Sequence, residues 1–441
     1  MSCFNKSKKQ YKQIVEDQSL DILIKQTNLQ KILFILNIIL TCTTCIAFIF
    51  VAFHACWYIP NKIQVMLFSQ YFVPSYVILI LSLPILTQVI FSSISLTKKK
   101  RFIQKQQILA ISLACLSIIL SLMLLIQIPG NWGPLVVPNK YGCQIMVYTK
   151  SKCQIDIQIE ANNNNQTFTT YNKNVHKFQI PFQDFKLFYA NKSFKYNFHK
   201  VNSFLFITDV HNSFYTEKLQ QMETDLIVSG GDNTNEGSFM NMYQVFRNFP
   251  SKPFLTVRGN HDGRPDYKQF FPETNHYVQL DGIGFYFINV FDTWRVIVDA
   301  QTVDEAFDFI VKNNNPTDKI KIIVAHLGAY TLNDNAETIY FSKQLENFLD
   351  LHPEFKYVLG GHSHSFRIFK RNGVKMIMGS ALGTKCEDFQ LERFLKRGSY
   401  GIQHITKWLE YTMSIVRFVR INNELKMEVY DADTLQKVHE E

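Results

Sequence analysis

Aspartate, histidine and asparagine residues form five short clusters whose side chains could hold metal ions. The clusters read D-x-H at 209–211, G-D at 231–232, G-N-H-D at 259–262, H at 326 and G-H-x-H at 361–364. Five of the twelve histidines of the chain fall in these clusters, and the other seven are scattered. Oxygen and imidazole donors without cysteine suit manganese, iron or zinc. The residue types therefore predict a metal site without selecting one of the three metals.

Each cluster follows a short apolar run with the composition of a buried strand. The runs are SFLFIT, DLIVSGG, PFLTVRG, KIKIIVA and FKYVLGG, and helical patterns at 303–312 and 337–350 separate some of them. This is the layout of an α/β domain, in which ligands bind beyond the carboxyl ends of the strands. One G-D or G-N-H-D alone would only indicate a turn. All five in order predict one site at one sheet edge.

The spacing inside the clusters also favours a shared site. Alternate residues of an extended chain point the same way, so Asp209 can approach the site together with His211, and His362 together with His364. Glycine precedes three of the candidate ligands. It permits the tight turns that follow buried strands.

The motifs TDVH, GGDN, RGNHD, AHLG and GGHSH resemble those of the calcineurin-like metallophosphoesterase superfamily over about residues 200–390. The resemblance implies an α/β fold, a four-layer αββα sandwich, with two metal ions at the sheet edge. It implies three ligands for each metal: Asp209, His211 and His364 for one, and Asn260, His326 and His362 for the other. Asp232 would bridge the two ions. His261 would lie beside the leaving group as a non-ligand, with Asp262 orienting its imidazole.

Residues 134–200 show partial alternation and β-branched or aromatic enrichment, which predicts a small β-sandwich before the catalytic domain at 201–441. This part resembles the β-domain that precedes the catalytic domain in purple acid phosphatases. Those enzymes have tyrosine three residues after the bridging aspartate, where this chain has Asn235, and D-x-G where it has His211. The chain is therefore more similar to the non-purple branch, which includes phosphatases and phosphodiesterases.

The net charge of +9 is confined to the first 139 residues, which carry twelve Lys and Arg against three Asp and Glu. The remainder carries 34 of each sign, so nucleic-acid binding is not indicated. The apolar stretches at 32–59, 72–96 and 108–128 each exceed the ~20 residues that span a bilayer. We therefore predict a three-helix transmembrane anchor at 32–130. The helices contain no Asp, Glu, Lys or Arg, so an anchor is a simpler reading than a transporter.

The flanking cations predict how the anchor is oriented. Six lysines precede the first span, and Lys98, Lys99, Lys100, Arg101 and Lys105 lie between the second and third. Cations mark cytosolic segments, so residues 1–31 should be cytosolic and the catalytic domain lumenal or extracellular. Sequons at Asn165 and Asn191 predict glycosylation there. In an oxidising compartment Cys143 and Cys153 could form a disulfide.

These patterns predict a membrane-anchored, dinuclear phosphoric ester hydrolase acting on phosphate mono- or diesters. Two divalent or trivalent ions, manganese, iron or zinc, would hold the phosphoryl group, and a hydroxide bridging them would attack phosphorus. His261 would protonate the leaving group. The alternative is a catalytically silent membrane protein that acts as a binding or scaffold module. The complete ligand set argues against it, because unpaired buried polar groups are costly once the metal is lost.

Overall fold

A computed structural model of the chain describes residues 131–211, 214–235, 237, 239–249, 251–263, 265–271, 274–291, 300–328, 336–379, 381–383, 405–409 and 413–441. Contacts divide the chain into two units, Met1–Gln127 and Ile128–Glu441, and all described residues belong to the second. The cytosolic segment and the three membrane spans predicted above lie outside the described residues. Among the residues described, no helix has both the length and the hydrophobicity needed to cross a bilayer.

In chain order the described strands are β1 (Trp132–Asn139), β2 (Gly142–Ala161), β3 (Asn164–Ile180), β4 (Phe185–Tyr189), β5 (Lys192–Tyr196), β6 (Ser203–Ile207), β7 (Leu226–Ser229), β8 (Phe254–Thr256), β9 (His276–Leu280), β10 (Ile283–Ile288), β11 (Ile320–Leu327), β12 (Phe355–Gly361), β13 (Phe366–Arg371), β14 (Val374–Met378), β15 (Ile405–Leu409), β16 (Ser414–Ile421), β17 (Glu424–Asp431) and β18 (Lys437–Glu440). The helices are α1 (Phe239–Phe246), α2 (Pro265–Phe270), α3 (Ala300–Asn313) and α4 (Ala336–Leu351). Short 3-10 helices cover Phe214–Gln221 and Asn260–Asp262.

Two mixed sheets form the centre of the molecule. The six-stranded sheet has the order β18-β17-β16-β6-β7-β8, and the seven-stranded sheet has the order β15-β13-β14-β12-β11-β10-β9. Strands β6, β7 and β8 run parallel, as do β10, β11, β12 and β14. Parallel strands bring their carboxyl ends to one edge, which is where the ligand candidates were expected.

Strands of both sheets carry apolar side chains on both faces, because each sheet packs against the other sheet on one face and against helices on the opposite face. On β6, Phe204 and Phe206 belong to the core between the sheets, whereas Leu205 and Ile207 face an outer helical layer. The ring of Phe204 meets that of Phe285 from the facing sheet edge-on, with 5.4 Å between centroids. Alternating side chains thus fill two different cores.

Helices cover the outer face of each sheet. Helix α3 buries Val303, Ala306, Phe307 and Ile310, a spacing that places them on one helical face. That face packs with residues of α4 against the outer face of the seven-stranded sheet. Residues of α1 and α2 lie in the core outside the six-stranded sheet. The four-layer αββα sandwich expected for residues 201–441 is therefore present.

The small β-domain differs from the expectation. Strands β1 to β5 form one five-stranded sheet around β2, so the prediction of a two-sheet β-sandwich was wrong. Its buried side chains, such as Ile145 and Ile157, belong to the same core as Phe204. Alternation shows only that one face of a strand is buried. It does not tell whether the covering layer belongs to the same domain or to the next one.

The predicted disulfide is also corrected, since Cys143 and Cys153 are both free thiols. Both lie on β2, ten residues apart. Their partners on β3 are Ile180 and Lys173, seven residues apart (180 − 173) because β2 bulges between the cysteines. An extended strand rises ~3.3 Å per residue, so the cysteines lie roughly 20 Å apart, whereas a disulfide needs its two Cα atoms within ~7 Å. Burial raises the pKa of the Cys143 thiol. It is therefore an unreactive packing residue.

Candidate metal centre

The five clusters do meet at one edge, each at or just beyond the carboxyl end of its strand. Asp209 and His211 follow β6, Asp232 follows β7, and the 3-10 turn at Asn260–Asp262 follows β8. His326 lies within β11 at its carboxyl end, and His362 and His364 follow β12. The two segments after β6 and β7 are joined by backbone bonds, with Asp209 N donating to Gly231 O (3.0 Å) and His211 N to Asp232 O (3.1 Å).

The backbone at the site is left-handed at five non-glycine residues. The φ angles are +51° at Asp209, +47° at His211, +50° at Asp232, +70° at His362 and +48° at His364. The expectation that D-x-H and H-x-H converge through extended backbone was therefore wrong, although both pairs do converge. Left-handed backbone is costly for side chains with a Cβ, and such residues cluster where function requires them.

The first donor group consists of Asp209, His211 and His364, whose candidate ligand atoms all lie within 4.8 Å of one another. The Nε2 atoms of His211 and His364 are 3.3 Å apart. They lie 3.8 Å and 3.3 Å from Asp209 Oδ1. One carboxylate oxygen and two imidazole nitrogens therefore point at a common space.

The second donor group consists of Asp232, His326 and His362, again within 4.8 Å. Asp232 Oδ2 is 3.2 Å from His326 Nε2. The side-chain oxygen of Asn260 lies 3.1 Å from His326 Nε2 and 3.1 Å from His362 Nδ1. Asn260 thus joins this group as its amide-oxygen donor.

Asp232 lies between the two groups, in the place expected of a bridging ligand. Its Oδ2 is 3.8 Å from His211 Nε2 in the first group, in addition to the 3.2 Å from His326 Nε2 in the second. Its Oδ1 accepts a hydrogen bond from the His261 backbone N–H at 2.8 Å. Only Oδ2 is therefore turned toward both groups.

Glycine is required at positions 231 and 259 because the backbone of one lies directly against the other, and not only because the chain turns there. A Cβ on Gly259 would lie 2.0 Å from Asp232 Oδ1, and Gly231 adopts φ +92° beside it. No side chain fits at Gly259 without displacing the central carboxylate.

Hydrogen bonds hold two imidazoles with a defined nitrogen toward the site. His326 Nδ1 lies 2.7 Å from Gly230 O, to which it donates. His211 Nδ1 lies 3.0 Å from Asn235 Oδ1. In both rings Nε2 is the nitrogen turned toward the donor group, the arrangement typical of metal-ligating histidine.

Charge and burial oppose each other at the two carboxylates. Burial would raise the pKa of Asp209 and of Asp232. The facing imidazoles, chiefly His364 for Asp209 and His326 for Asp232, outweigh it and hold both pKa values below the usual range. Both side chains are therefore anionic at neutral pH and suited to bind a cation.

The pKa values of the site imidazoles are shifted in opposite directions. Burial, reinforced by His261, lowers the pKa of His211 to about 3, and burial with His326 lowers that of His362 to about 4. Burial would also lower the pKa of His326, but Asp232 outweighs it and raises the value to about 9. A cation bound at His326 would displace that proton, so metal binding at this group releases protons.

The donor set fits a metal ion. Asp209 Oδ2 accepts from Thr208 Oγ1 (2.8 Å) and from the His362 backbone N–H (2.9 Å). The other oxygen, Oδ1, is buried and accepts no well-aligned hydrogen bond among the described residues, and the nearest nitrogens are Nε2 of His364 at 3.3 Å and Nε2 of His211 at 3.8 Å. Such an orphaned carboxylate oxygen is costly unless something else satisfies it. A cation between it and the two imidazoles supplies that partner.

His261 and Asp262 do not form the expected pair, in which the carboxylate would orient the imidazole. His261 Nδ1 lies 2.8 Å from the backbone carbonyl of Asn235, to which it donates, so the expectation that Asp262 orients this ring was wrong. The Asp262 carboxylate instead accepts from the N–H groups of Asn233, Thr234 and Gly259 and from the Thr234 hydroxyl. It ties the segment after β7 to the turn after β8. Burial and Asp232 raise its pKa to about 6.

Asn235 is the site residue that sequence reasoning missed. Its side chain holds His211 and its backbone carbonyl holds His261. The sequence showed only that it stands three residues after Asp232, and a backbone contact carries no signal in residue type. Asn235 is 6 % exposed, so the contacts are inside the protein.

Comparison with known proteins agrees with this geometry. The family model for the calcineurin-like phosphoesterase matches residues 203–366. That range contains all seven ligand candidates together with His261 and Asp262. Residues 203–366 are therefore similar to a calcineurin-like phosphoesterase domain. No curated protein matches the chain by sequence.

Solved structures that resemble the chain have low sequence identity to it. A purple acid phosphatase from yellow lupin (Lupinus luteus) seeds is similar with a TM-score of 0.51 and 11 % identity, covering 71 % of this chain and 74 % of its own. GAP50 of Plasmodium, described as the anchor in the inner membrane complex, has a TM-score of 0.43 and 12 % identity over 55 % of this chain and 88 % of its own. The likeness to the lupin enzyme establishes a shared fold and nothing finer.

Proposed function

We propose that the protein is a membrane-anchored, metal-dependent phosphoesterase that hydrolyses phosphate mono- or diesters, with its active site on the exterior side of the membrane. The observation that carries the hydrolase assignment is the convergence of two donor groups on Asp232, whose Oδ2 faces both of them. The match to the phosphoesterase family supports the same reaction class.

Two metal ions, of manganese, iron or zinc, are proposed because two donor groups share one carboxylate. Asp209, His211 and His364 would hold one ion, and Asn260, His326 and His362 the other. Ions bound there would polarise the phosphoryl oxygens and supply an activated water as the nucleophile. The protein contributes the buried, preoriented donors that bind them.

His261 is proposed to move the proton that the leaving group needs. Its side chain is 39 % exposed, compared with 17 % for the ligand candidate His364, and its Nε2 lies 4.0 Å from Asp232 Oδ2. The Asn235 carbonyl anchors Nδ1, so Nε2 is the nitrogen that can face a substrate. In its protonated form the ring can donate from Nε2 to the departing oxygen.

The exterior location rests on the charge pattern of the sequence. The described residues are compatible with it, because Asn165 and Asn191 are both exposed and so accessible to a glycosyltransferase. Asn191 lies in the turn between β4 and β5, with φ +61°.

The full-length chain, purified in detergent, tests the hydrolase assignment. It is assayed with nitrophenyl phosphate and bis(nitrophenyl) phosphate after loading with manganese, iron or zinc, and bound metal is counted. We expect metal-dependent hydrolysis that Asp232→Asn abolishes and that Asp308→Asn, a matched change at an exposed helix position, leaves intact. A folded chain that retains no metal under any of these conditions would instead support the silent binding module.

A further inference from the structure

A second candidate binding site lies at the amino-terminal end of β8, whereas the metal centre lies beyond its carboxyl end. A cleft of about 550 Å³ is lined by the start of β1, the turn between β4 and β5, and residues that precede β8. The metal-binding candidates follow β8 instead, and none of them lines the cleft. Its volume lies within the ~300–1,000 Å³ of small-molecule sites.

The lining of the cleft is strongly cationic. Lys192, Arg247 and Lys252 line it, and no Asp or Glu does. Glu217 reaches its rim only indirectly, by accepting a hydrogen bond from Asn248 Nδ2. Within the described part of the chain, neither lysine takes part in a salt bridge. Lys192 and Lys252 both add positive charge to one cavity, and an anion bound there would relieve their mutual repulsion.

The arginine is held in place by an aromatic ring. The guanidinium carbon of Arg247 lies 5.5 Å from the ring centroid of Tyr243, a cation–π distance. This contact positions a planar donor group that matches phosphate oxygens. Gln220, Asn248 and Ser251 add polar groups to the same lining.

Aromatic side chains complete the lining and indicate what the anion is attached to. Tyr189, Phe194, Phe246 and Phe249 all line the cleft. A site for free phosphate alone needs no such surface. Cations beside aromatic rings fit a phosphate carried on an apolar or ring-shaped body.

We propose that this cleft binds a phosphate-bearing ligand, with the phosphate held by Lys192, Arg247 and Lys252 and the rest of the ligand against the aromatic side chains. Two sources share this chemistry: a soluble organic phosphate and a phospholipid headgroup. The lipid is a source because Gly133, which lines the cleft, follows the predicted span ending at 128 by five residues (133 − 128). The assignment is independent of the hydrolase activity proposed above.

Site-resolved lysine labelling of the full-length chain tests the proposal. The chain is acetylated for short times with or without a probe, and the rate at each lysine is read by mass spectrometry. The probes are glucose phosphate and a short-chain phosphatidic acid below its micellar concentration. At a probe concentration ten times Kd, labelling of Lys192 and Lys252 should slow about tenfold. Lys195, exposed on the same strand but outside the lining, is the internal control.

Each outcome decides the proposal. Protection of Lys192 and Lys252 by glucose phosphate, with or without protection by phosphatidic acid, supports a soluble phosphate compound, and protection by phosphatidic acid alone supports a lipid headgroup. The Lys252→Glu variant should abolish protection of Lys192, whereas Lys195→Glu should preserve it. No protection by either probe, or equal protection of Lys195, overturns the proposal. The readout is local to the cleft, so its failure leaves the metal centre untouched, and phosphate bound at the metals does not imitate it.

Discussion

At the scale of single residues, Asn235 shows how one position can serve two catalytic groups through different atoms. Its side-chain oxygen fixes His211, a ligand candidate, and its backbone oxygen fixes His261, the proposed acid. Substitution can therefore separate the two contacts, because it removes the side chain and leaves the carbonyl in place.

Asn235→Ala should weaken metal binding more than it changes the chemical step. Loss of a hydrogen bond that orients a ligating histidine typically costs ~10–100-fold in metal affinity. We expect the chelator concentration that removes half of the metal to fall by ~10–100-fold, while kcat at saturating metal stays nearly unchanged. Asn202→Ala, an exposed position, is the control. An unaltered chelator midpoint for Asn235→Ala would show that its side chain does not support the metal.

His261→Ala should remove the proton donor without removing metal. Loss of a general acid costs ~10²–10⁴-fold in rate. We expect that loss with an alkyl phosphate and a smaller loss with a nitrophenyl ester, whose leaving group needs no proton. The measurement is kcat for both substrates at equal metal content. An equal loss for both esters would contradict the acid role.

At the scale of secondary-structure elements, the strand ends place the ligands and the glycines allow the segments to meet. Gly259→Ala tests this, because its Cβ would lie 2.0 Å from Asp232 Oδ1. We expect a destabilisation of at least about 1–3 kcal/mol in urea unfolding together with loss of bound metal. Gly373→Ala is the matched control, since its φ of +79° is strained but no atom lies within 4 Å of the added carbon. Gly373→Ala should lower the free energy of unfolding by ~1–2 kcal/mol. Its metal content should stay unchanged.

The β9–β10 pair contains a histidine whose titration should be visible in stability. His276 stacks on Phe287 with 4.4 Å between ring centroids, its Nδ1 is buried without a hydrogen bond among the described residues, and burial lowers its pKa to about 4. In the unfolded chain its pKa is ~6.5, so between these values the unfolded state binds the extra proton. The free energy of unfolding should therefore fall as pH drops from about 6.5 to 4.

The expected loss at His276 is on the order of 3 kcal/mol, since the pKa falls from about 6.5 to about 4 and each unit corresponds to ~1.4 kcal/mol. Urea midpoints at several pH values, compared between the wild type and His276→Phe, isolate this group from the other titrating residues. The wild type should lose stability relative to His276→Phe as the pH falls toward 4. Parallel curves across this range would show that His276 does not titrate as argued.

At the scale of the whole molecule, the proposed membrane anchor predicts on which side of a bilayer residues 131–441 lie. In sealed vesicles with the cytosolic face outward, protease should spare residues 131–441 and cut the N-terminal segment. Glycosidase should reduce the apparent mass of the wild type but not of a variant carrying both Asn165→Gln and Asn191→Gln. Removal of the catalytic domain by external protease would reverse the predicted orientation.

Much of the catalytic domain could be read from local patterns. Apolar runs ending in Asp, Asn or His predicted which strands meet at the site, because buried strands are recognisable from composition and ligands from residue type. The β-domain was harder. Alternation at Ile145 and Ile157 showed a buried face, but the layer that covers it lies in another part of the chain. The supposed Cys143–Cys153 pair failed for a similar reason, since spacing in sequence does not give distance in space.

The sequence by itself determined which residues form the donor set and that each of them lies at a strand end, because both depend on residue type and on local apolar patterns. Only the tertiary structure decided which atoms face one another. It turned Asp262 away from His261, gave that ring to the Asn235 carbonyl, and placed five ligands on left-handed backbone. A backbone carbonyl is the same in every residue, and its direction is set only when distant segments pack together. Only the tertiary structure revealed the cationic cleft beside β8, since its three cations come from two segments that folding brings together.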